Sequence, residues 1–198
     1  MSYAKENINL PSLEDPNLVQ TADLIWNSDF FKNMESFLEN GASEINKSIE
    51  PVQIISKEEI PTELSKLLVN KDYMTSTLSL FYNSKINIEK IKKTEENDIL
   101  KRSVKLNNGK ECLALGFIKI LLNNLGSENV RHQVVGETAP FGTILKDHGF
   151  KYGYRERIYI KLPKKDSLFK TDLFGRATIM EGNGVVVATV AEILPYYQ

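Results

Sequence analysis

Ile99 to Ile120 reads ILKRSVKLNNGKECLALGFIKI. Two stretches that alternate in the manner of antiparallel strands flank Asn107, Asn108 and Gly109. Asn-Gly is a strong short-range hairpin signal, because both residues tolerate the positive φ that tight turns between twisted strands require. The stretch therefore predicts an antiparallel hairpin. A second follows in FGRATIMEGNGVVVATVAEIL, Phe174 to Leu194, which turns over Glu181 to Gly184 at another Asn-Gly pair. YRERIYIKL, Tyr154 to Leu162, reads as a further strand, VQIISK as a short one over Val52 to Ile55, and Ile86, Ile88 and the stem of Lys90 share one face of another.

Helical spacing fills the intervals. Leu18, Ala22, Ile25, Trp26, Phe30, Met34 and Leu38 recur at helical spacing before Gly41, a helix or helix pair expected to cover something apolar. PTELSKLL starts a helical turn at Pro61, and Met74 to Tyr82 reads as a helix. Ser127 can cap SENVRHQVV, and PFGTILKDHG runs from Pro140, suited to a first turn, to a stop at Gly149. Helices without regular strand-helix alternation, among recurring hairpins, imply an α+β fold: a single antiparallel β-sheet with helices packed on it. Residues 1–71 read as an N-terminal arm and helical/strand extension, and residues 72–198 as the core on which it packs, within one compact domain.

The chain has 198 residues, with 25 Lys plus Arg against 26 Asp plus Glu, so no global field draws nucleic acid or an anionic bilayer. Cys112 is the only cysteine, which excludes an internal disulfide and a cysteine metal cluster; it reads as a small buried apolar residue. No run spans a bilayer, and MSYAKENINLP lacks a signal-peptide core, so a reducing cytoplasm is expected. Phosphate-binding, dinucleotide-binding, nucleophile-elbow and zinc-protease motifs are absent. The two histidines, His132 and His148, make a poor metal set, and His148 suits a helix C-terminus.

Two charges sit awkwardly in apolar surroundings. Arg102 shares the strand parity of Val104 and Leu106, and Glu192 lies in VVVATVAEIL, a strand apolar enough for both faces to be covered. A buried carboxylate needs a partner, and a guanidinium is the best one. A third feature is VVGETAPFGTILKDHG, Val134 to Gly149, where Gly, Pro and Gly crowd before an amphipathic helix.

Together these residues resemble the chorismate pyruvate-lyase family, whose members remove pyruvate from chorismate to leave 4-hydroxybenzoate. The resemblance rests on four stretches in the family's order. They are KDYMTSTLSLFYNSKINIEKIK with its Met74–Thr75 pair, RSVKLNNGKECLALGFIKI, GETAPFG, and FGRATIMEGNGVVVATVAEILP. They cover roughly Asp72 to Gln198. By resemblance, Arg102 corresponds to the carboxylate-binding arginine, Glu192 to the pocket glutamate and Phe141 to a ligand-contacting leucine. The turn, with Pro140 and Gly142, would present N–H groups to a bound anion. The chain departs from the family at Ala139, inserted between Thr138 and Pro140, and at Phe141, larger than leucine.

The resemblance implies a lyase with Arg102 and Glu192 catalytic and with Arg102, Phe141, Gly142 and Glu192 binding substrate. It implies no cofactor or metal, and a small carboxylate as its partner rather than nucleic acid, membrane or protein. The helical segment Leu18 to Leu38 would cover the enclosed ligand. Desolvation would raise the pKa of Glu192 unless Arg102 is close. Two alternatives stay open. One is a lyase-fold enzyme for a different enolpyruvyl or aryl acid, suggested by the altered turn. The other is a non-catalytic effector-binding domain like that of certain winged-helix repressors, against which the acidic N-terminal stretch argues.

Overall fold

A computed structural model describes residues 12, 14–27, 52–137, 139–155, 157–164 and 171–195. Among them, one antiparallel sheet of eight strands carries five α-helices, an α+β architecture. The strands are β1 (Gln53–Ile55), β2 (Asn87–Glu96), β3 (Ile99–Asn107), β4 (Cys112–Leu121), β5 (Tyr152–Tyr154), β6 (Ile158–Leu162), β7 (Leu173–Gly182) and β8 (Val185–Leu194). Their order is β1-β6-β7-β8-β4-β3-β2, with β5 also on β7, so β8 and β4 run through the middle.

Both predicted hairpins form, with different turns. Gly182 pairs with Val185, leaving Asn183 and Gly184 as a two-residue turn with φ of 52° and 83°. Asn107 pairs with Cys112, so the first loop is wider, and Asn108 Oδ1 accepts from the N–H groups of Lys110 and Glu111. A third tight turn joins β2 to β3 through Asn97 and Asp98, both at positive φ. Asn and Asp tolerate that region better than other side chains, so Asn97-Asp98 was the legible signal for it. The segment read as one strand from Tyr154 to Leu162 is interrupted: β5 and β6 both pair with β7, and the break brings Arg155 and Arg157 between them.

The helices are α1 (Pro16–Asn27), α2 (Thr62–Leu68), α3 (Met74–Tyr82), α4 (Glu128–Gly136) and α5 (Phe141–Asp147). Their ends follow local chemistry. Ser127 Oγ accepts from Val130 N–H at the start of α4. Pro140 stands at the N-cap of α5 and its carbonyl accepts from Thr143 and Ile144. His148 caps the other end, before Gly149 at φ 68°.

Side chains alternate across a strand, so the register sorts the sheet into two faces. On one, Leu115, Phe117, Ala177, Ala191 and Ile193 pack with Leu18, Ala22 and Ile25 of α1, and the Trp26 ring meets Phe117 edge-on at 5.7 Å. The other face holds two apolar clusters. Leu106, Ala114, Phe174 and Leu194 pack under α2 and α3, and Leu100, Ile120, Met180 and Ala188 under α4 and α5. Both faces of β8 are thus covered, as its composition implied.

The position of α1 corrects one expectation. It packs on the face opposite Arg102 and Glu192, because its apolar stripe finds the continuous apolar face of the sheet; Phe30, Met34 and Leu38 lie outside the described residues. Residues before Asp72 are also woven into the core, since β1 pairs with β6 and α2 shares a cluster with α3.

Close packing between β7 and β8 exposes one position to a sharp test. A Cβ on Gly175 would lie 2.5 Å from the Glu192 carbonyl oxygen and 2.9 Å from Ile193 Cγ1. Backbone cannot yield as a side chain can, so Gly175→Ala should destabilise the fold by about 2 kcal/mol or more, read as a lower urea midpoint at unchanged m-value. An unchanged midpoint would contradict the packing.

Candidate functional site

Between the two apolar clusters of the α2–α5 face runs a polar band. The register sets it out in two rows across the strands: Val104, Gly116, Glu192, Arg176 and Tyr159, then Lys93, Arg102, Ile118, Val190 and Thr178. Arg102, Val104, Ile118, Val190 and Glu192 are only half-buried, although they lie in the sheet's interior and their strand neighbours are largely covered. Solvent therefore reaches the middle of the sheet between the helix pairs. Gly116 adds no side chain there; a Cβ would press to 3.0 Å from Val104 Cγ2. Strands lie about 4.8 Å apart and rise about 3.4 Å per residue, so Arg102 and Glu192, two strands and two residues apart, have backbones about 12 Å from each other across this floor.

Glu192 does not pair with Arg102. Its Oε2 accepts from Arg176 Nε at 2.7 Å, and Arg176 is the more deeply buried of the two, with 3% of its side chain exposed against 19%. The rest of the guanidinium fork is spent on the connection from α2 to α3: Nη1 donates to Leu68 O at 3.4 Å and Asn70 Oδ1 at 3.1 Å, and Nη2 to Asp72 O at 2.9 Å. Arg157 donates to Lys71 O and Asp72 O of the same loop and sits 5.6 Å from the centre of the Tyr154 ring. Arg176 carries the same parity signal as Arg102, in a strand at least as apolar, and reading it so would have found Glu192's partner.

Tyrosines line this end of the band. Burial chiefly, then the charge of Glu192, hold the Tyr154 phenol above its usual range and keep it protonated. Tyr73, on the α2–α3 loop, packs edge-on against Tyr154 at 5.8 Å and its hydroxyl donates to that of Tyr152 at 3.3 Å. The Tyr152 hydroxyl in turn donates to Gly142 O at 3.1 Å. The close approach at Gly142 is that of Tyr152, whose oxygen lies 2.9 Å from where a Cβ would stand. Phe141 is buried in the α4–α5 cluster.

At the opposite end, Arg102 meets the turn through Glu137, a residue inside GETAPFG that sequence reasoning did not single out. Arg102 Nη1 lies 3.6 Å from Glu137 Oε1, while Lys90 Nζ donates to Oε2 at 2.8 Å and Lys93 Nζ donates to Val135 O. A bulge in β2 between Lys90 and Lys92 turns both Lys90 and Lys93 onto the Arg102 face. Burial acts to raise the Glu137 carboxyl; the hydrogen bond and charge of Lys90, then Lys93 and Arg102, outweigh it and hold the group below its ordinary value. Arg102 Nε and Glu137 Oε1 are both buried without a hydrogen-bond partner.

The remaining candidates lie elsewhere. Cys112 is buried and burial pushes its thiol up to about 12, so it is a neutral core residue. His132 faces Glu128 on the exposed side of α4, and no cluster of metal-binding side chains occurs among the described residues. No helix among them is long and apolar enough to cross a membrane. A shallow surface depression lined by Lys57, Glu58, Ser65, Lys66 and Val69 includes none of the site residues. No protein-family model matches the chain, and no curated protein matches it in sequence.

Arg176 makes the band vulnerable at one atom group. Arg176→Met should leave Glu192 without its guanidinium and the loop carbonyls without donors, costing about 3–5 kcal/mol in urea unfolding. Exposed Arg155→Met serves as the comparison, and a similar loss in both would argue against a special role for Arg176.

Proposed function

We propose that the protein is a chorismate pyruvate-lyase that works in the band between its helix pairs. The observation that carries this reading is the half-buried floor of Ile118 and Val190 in the middle strands, with Arg102 beside Ile118 on β3 and Glu192 two residues along β8 from Val190. The ordered stretches that resemble the family contribute β3, β4, the turn before α5, and the β7–β8 hairpin, which together border this floor.

Chorismate is a dianion with an enolpyruvyl ether on a cyclohexadiene ring. In the reaction the C–O bond to the ring breaks with its electron pair going to the departing enolpyruvate, the neighbouring ring carbon loses a proton and its C–H electrons complete the aromatic ring, and the enolpyruvate takes up one proton in return, so none is gained or lost overall. Enolpyruvate departs and becomes pyruvate. Aromatisation drives the step, so the protein's task is to hold the anion, exclude water and steer one proton. Arg102 would take a carboxylate with its planar fork. Glu192, held by Arg176 through one oxygen, would use the other to accept from the ring hydroxyl that becomes the phenol. Apolar contact with the ring would come from Val104, Ile118 and Val190. Phe141 would act through the cluster that seats α5, and Gly142 through the Tyr152 contact.

One observation favours a second reading. Glu192 is engaged by Arg176 as a structural ion pair would be, which suits a site that binds an aryl or enolpyruvyl acid without turning it over.

Incubating the protein with chorismate should release pyruvate and 4-hydroxybenzoate in equal amounts, unaffected by chelator. Arg102→Ala should weaken substrate and product binding by about 2–5 kcal/mol, with Arg102→Lys only partly restoring it. Glu192→Gln should depress kcat more than it raises KM. Tight binding of 4-hydroxybenzoate with no pyruvate formed would select the binding-only reading, and neither binding nor turnover would sink both.

A further inference from the structure

Glu137 ends α4 with φ 54° and ψ 36°, a left-handed conformation that glycine adopts freely and glutamate only at a cost. The preceding residue, Gly136, is still helical, so the glycine stands one position short of where the cap would favour it. Strain of this kind persists where the surroundings over-determine it. Here the cap N–H is held by the Gln133 and Val134 carbonyls, and the carboxylate accepts from Lys90 and faces Arg102 across 3.6 Å.

That separation is too long for a hydrogen bond. Glu137 Oε1 and Arg102 Nε are buried and each lacks a partner, so the guanidinium has an ion for company and an unspent donor. Lys93, on the same face, is tied to the Val135 carbonyl. The cluster of Lys90, Lys93 and Arg102 thus surrounds a single carboxylate, which partly neutralises it without satisfying it.

We propose that Glu137 is the resident counter-anion of the site, competing with a ligand's carboxylate for Arg102 and Lys90 and so setting how tightly the site holds anions. The proposal rests on the reading of Arg102 as the anion-binding residue. An incoming carboxylate on Arg102 meets a second carboxylate beside it, and the repulsion lowers affinity. The effect favours release of a small aryl acid over its retention, since the internal carboxylate returns to the guanidinium as the ligand leaves. Glu137 acts through Arg102 and Lys90 and is a specificity-determining residue in this scheme.

Glu137→Gly tests it without threatening the fold, because glycine is what the left-handed cap prefers, and Glu137→Gln removes the charge at nearly constant shape. Calorimetric titration with inorganic phosphate and with 4-hydroxybenzoate at neutral pH separates the two levels of inference. Both variants should bind at least one of these anions about tenfold more tightly than the native chain, and adding Arg102→Ala to Glu137→Gly should abolish the gain. Tighter phosphate binding with no affinity for 4-hydroxybenzoate would uphold the counter-anion role and count against the lyase. Affinity unchanged or weaker in both variants, no binding of either anion to any variant, or a gain that survives Arg102→Ala would overturn it.

Discussion

The helical face of this protein depends on a buried guanidinium. Arg176 stands in the middle of β7 with 3% of its side chain exposed, where an unpaired charge would cost several kcal/mol. Its hydrogen bonds to Glu192, Leu68, Asn70 and Asp72 remove that cost and impose a geometry. The α2–α3 connection must come down to the sheet at that point. Consequently α2 and α3 gather at one end of the face, over Leu106, Ala114, Phe174 and Leu194, and cannot spread to meet α4 and α5. The band between the helix pairs follows from this separation.

An irregularity on the outer strand has a comparable effect at the other end. A regular β2 would alternate Lys90 and Lys93 to opposite faces. The bulge between Lys90 and Lys92 instead sends both to the Arg102 face, while Lys92 turns to the other side and pairs with Asp23 of α1. One extra residue in the ladder thereby creates a local excess of positive charge on a chain whose formal charge is nearly balanced. Glu137 answers that excess, and its left-handed backbone is part of the answer.

How much of this was readable in the sequence depends on range. The Asn183-Gly184 turn, the Ser127 cap and the helix from Met74 to Tyr82 are set by neighbours a few residues apart, and each lies where the residues placed it. Parity exposed Arg102 and Glu192 as anomalies within their strands. Arg176 and Glu192 face each other across the predicted β7–β8 hairpin, so their pairing was within local reach; Arg102, on β3, is separated from β8 by β4, a non-local arrangement that parity does not show. The face chosen by α1 was likewise hidden, because an apolar stripe says that a helix is covered and not by what. The bulge in β2 left no trace in a charged, exposed segment where neither parity is favoured by burial.

The two ends of the band differ in what they have left to offer. At the Glu192 end, Arg176 has acceptors on all three of its nitrogens and Tyr154 is held as a neutral phenol, so new charge would find little there that is not already committed. At the Arg102 end, Arg102 Nε and Glu137 Oε1 are each buried and unsatisfied, and Oε1 lies 3.6 Å from the Nη1 of the same guanidinium. Water or a shift of the turn could satisfy both, whereas an anionic oxygen could accept from Arg102 Nε alone and would leave Glu137 Oε1 without a donor. Electrostatics alone therefore gives the band a direction, with negative charge favoured beside β3 and a neutral polar group beside β7.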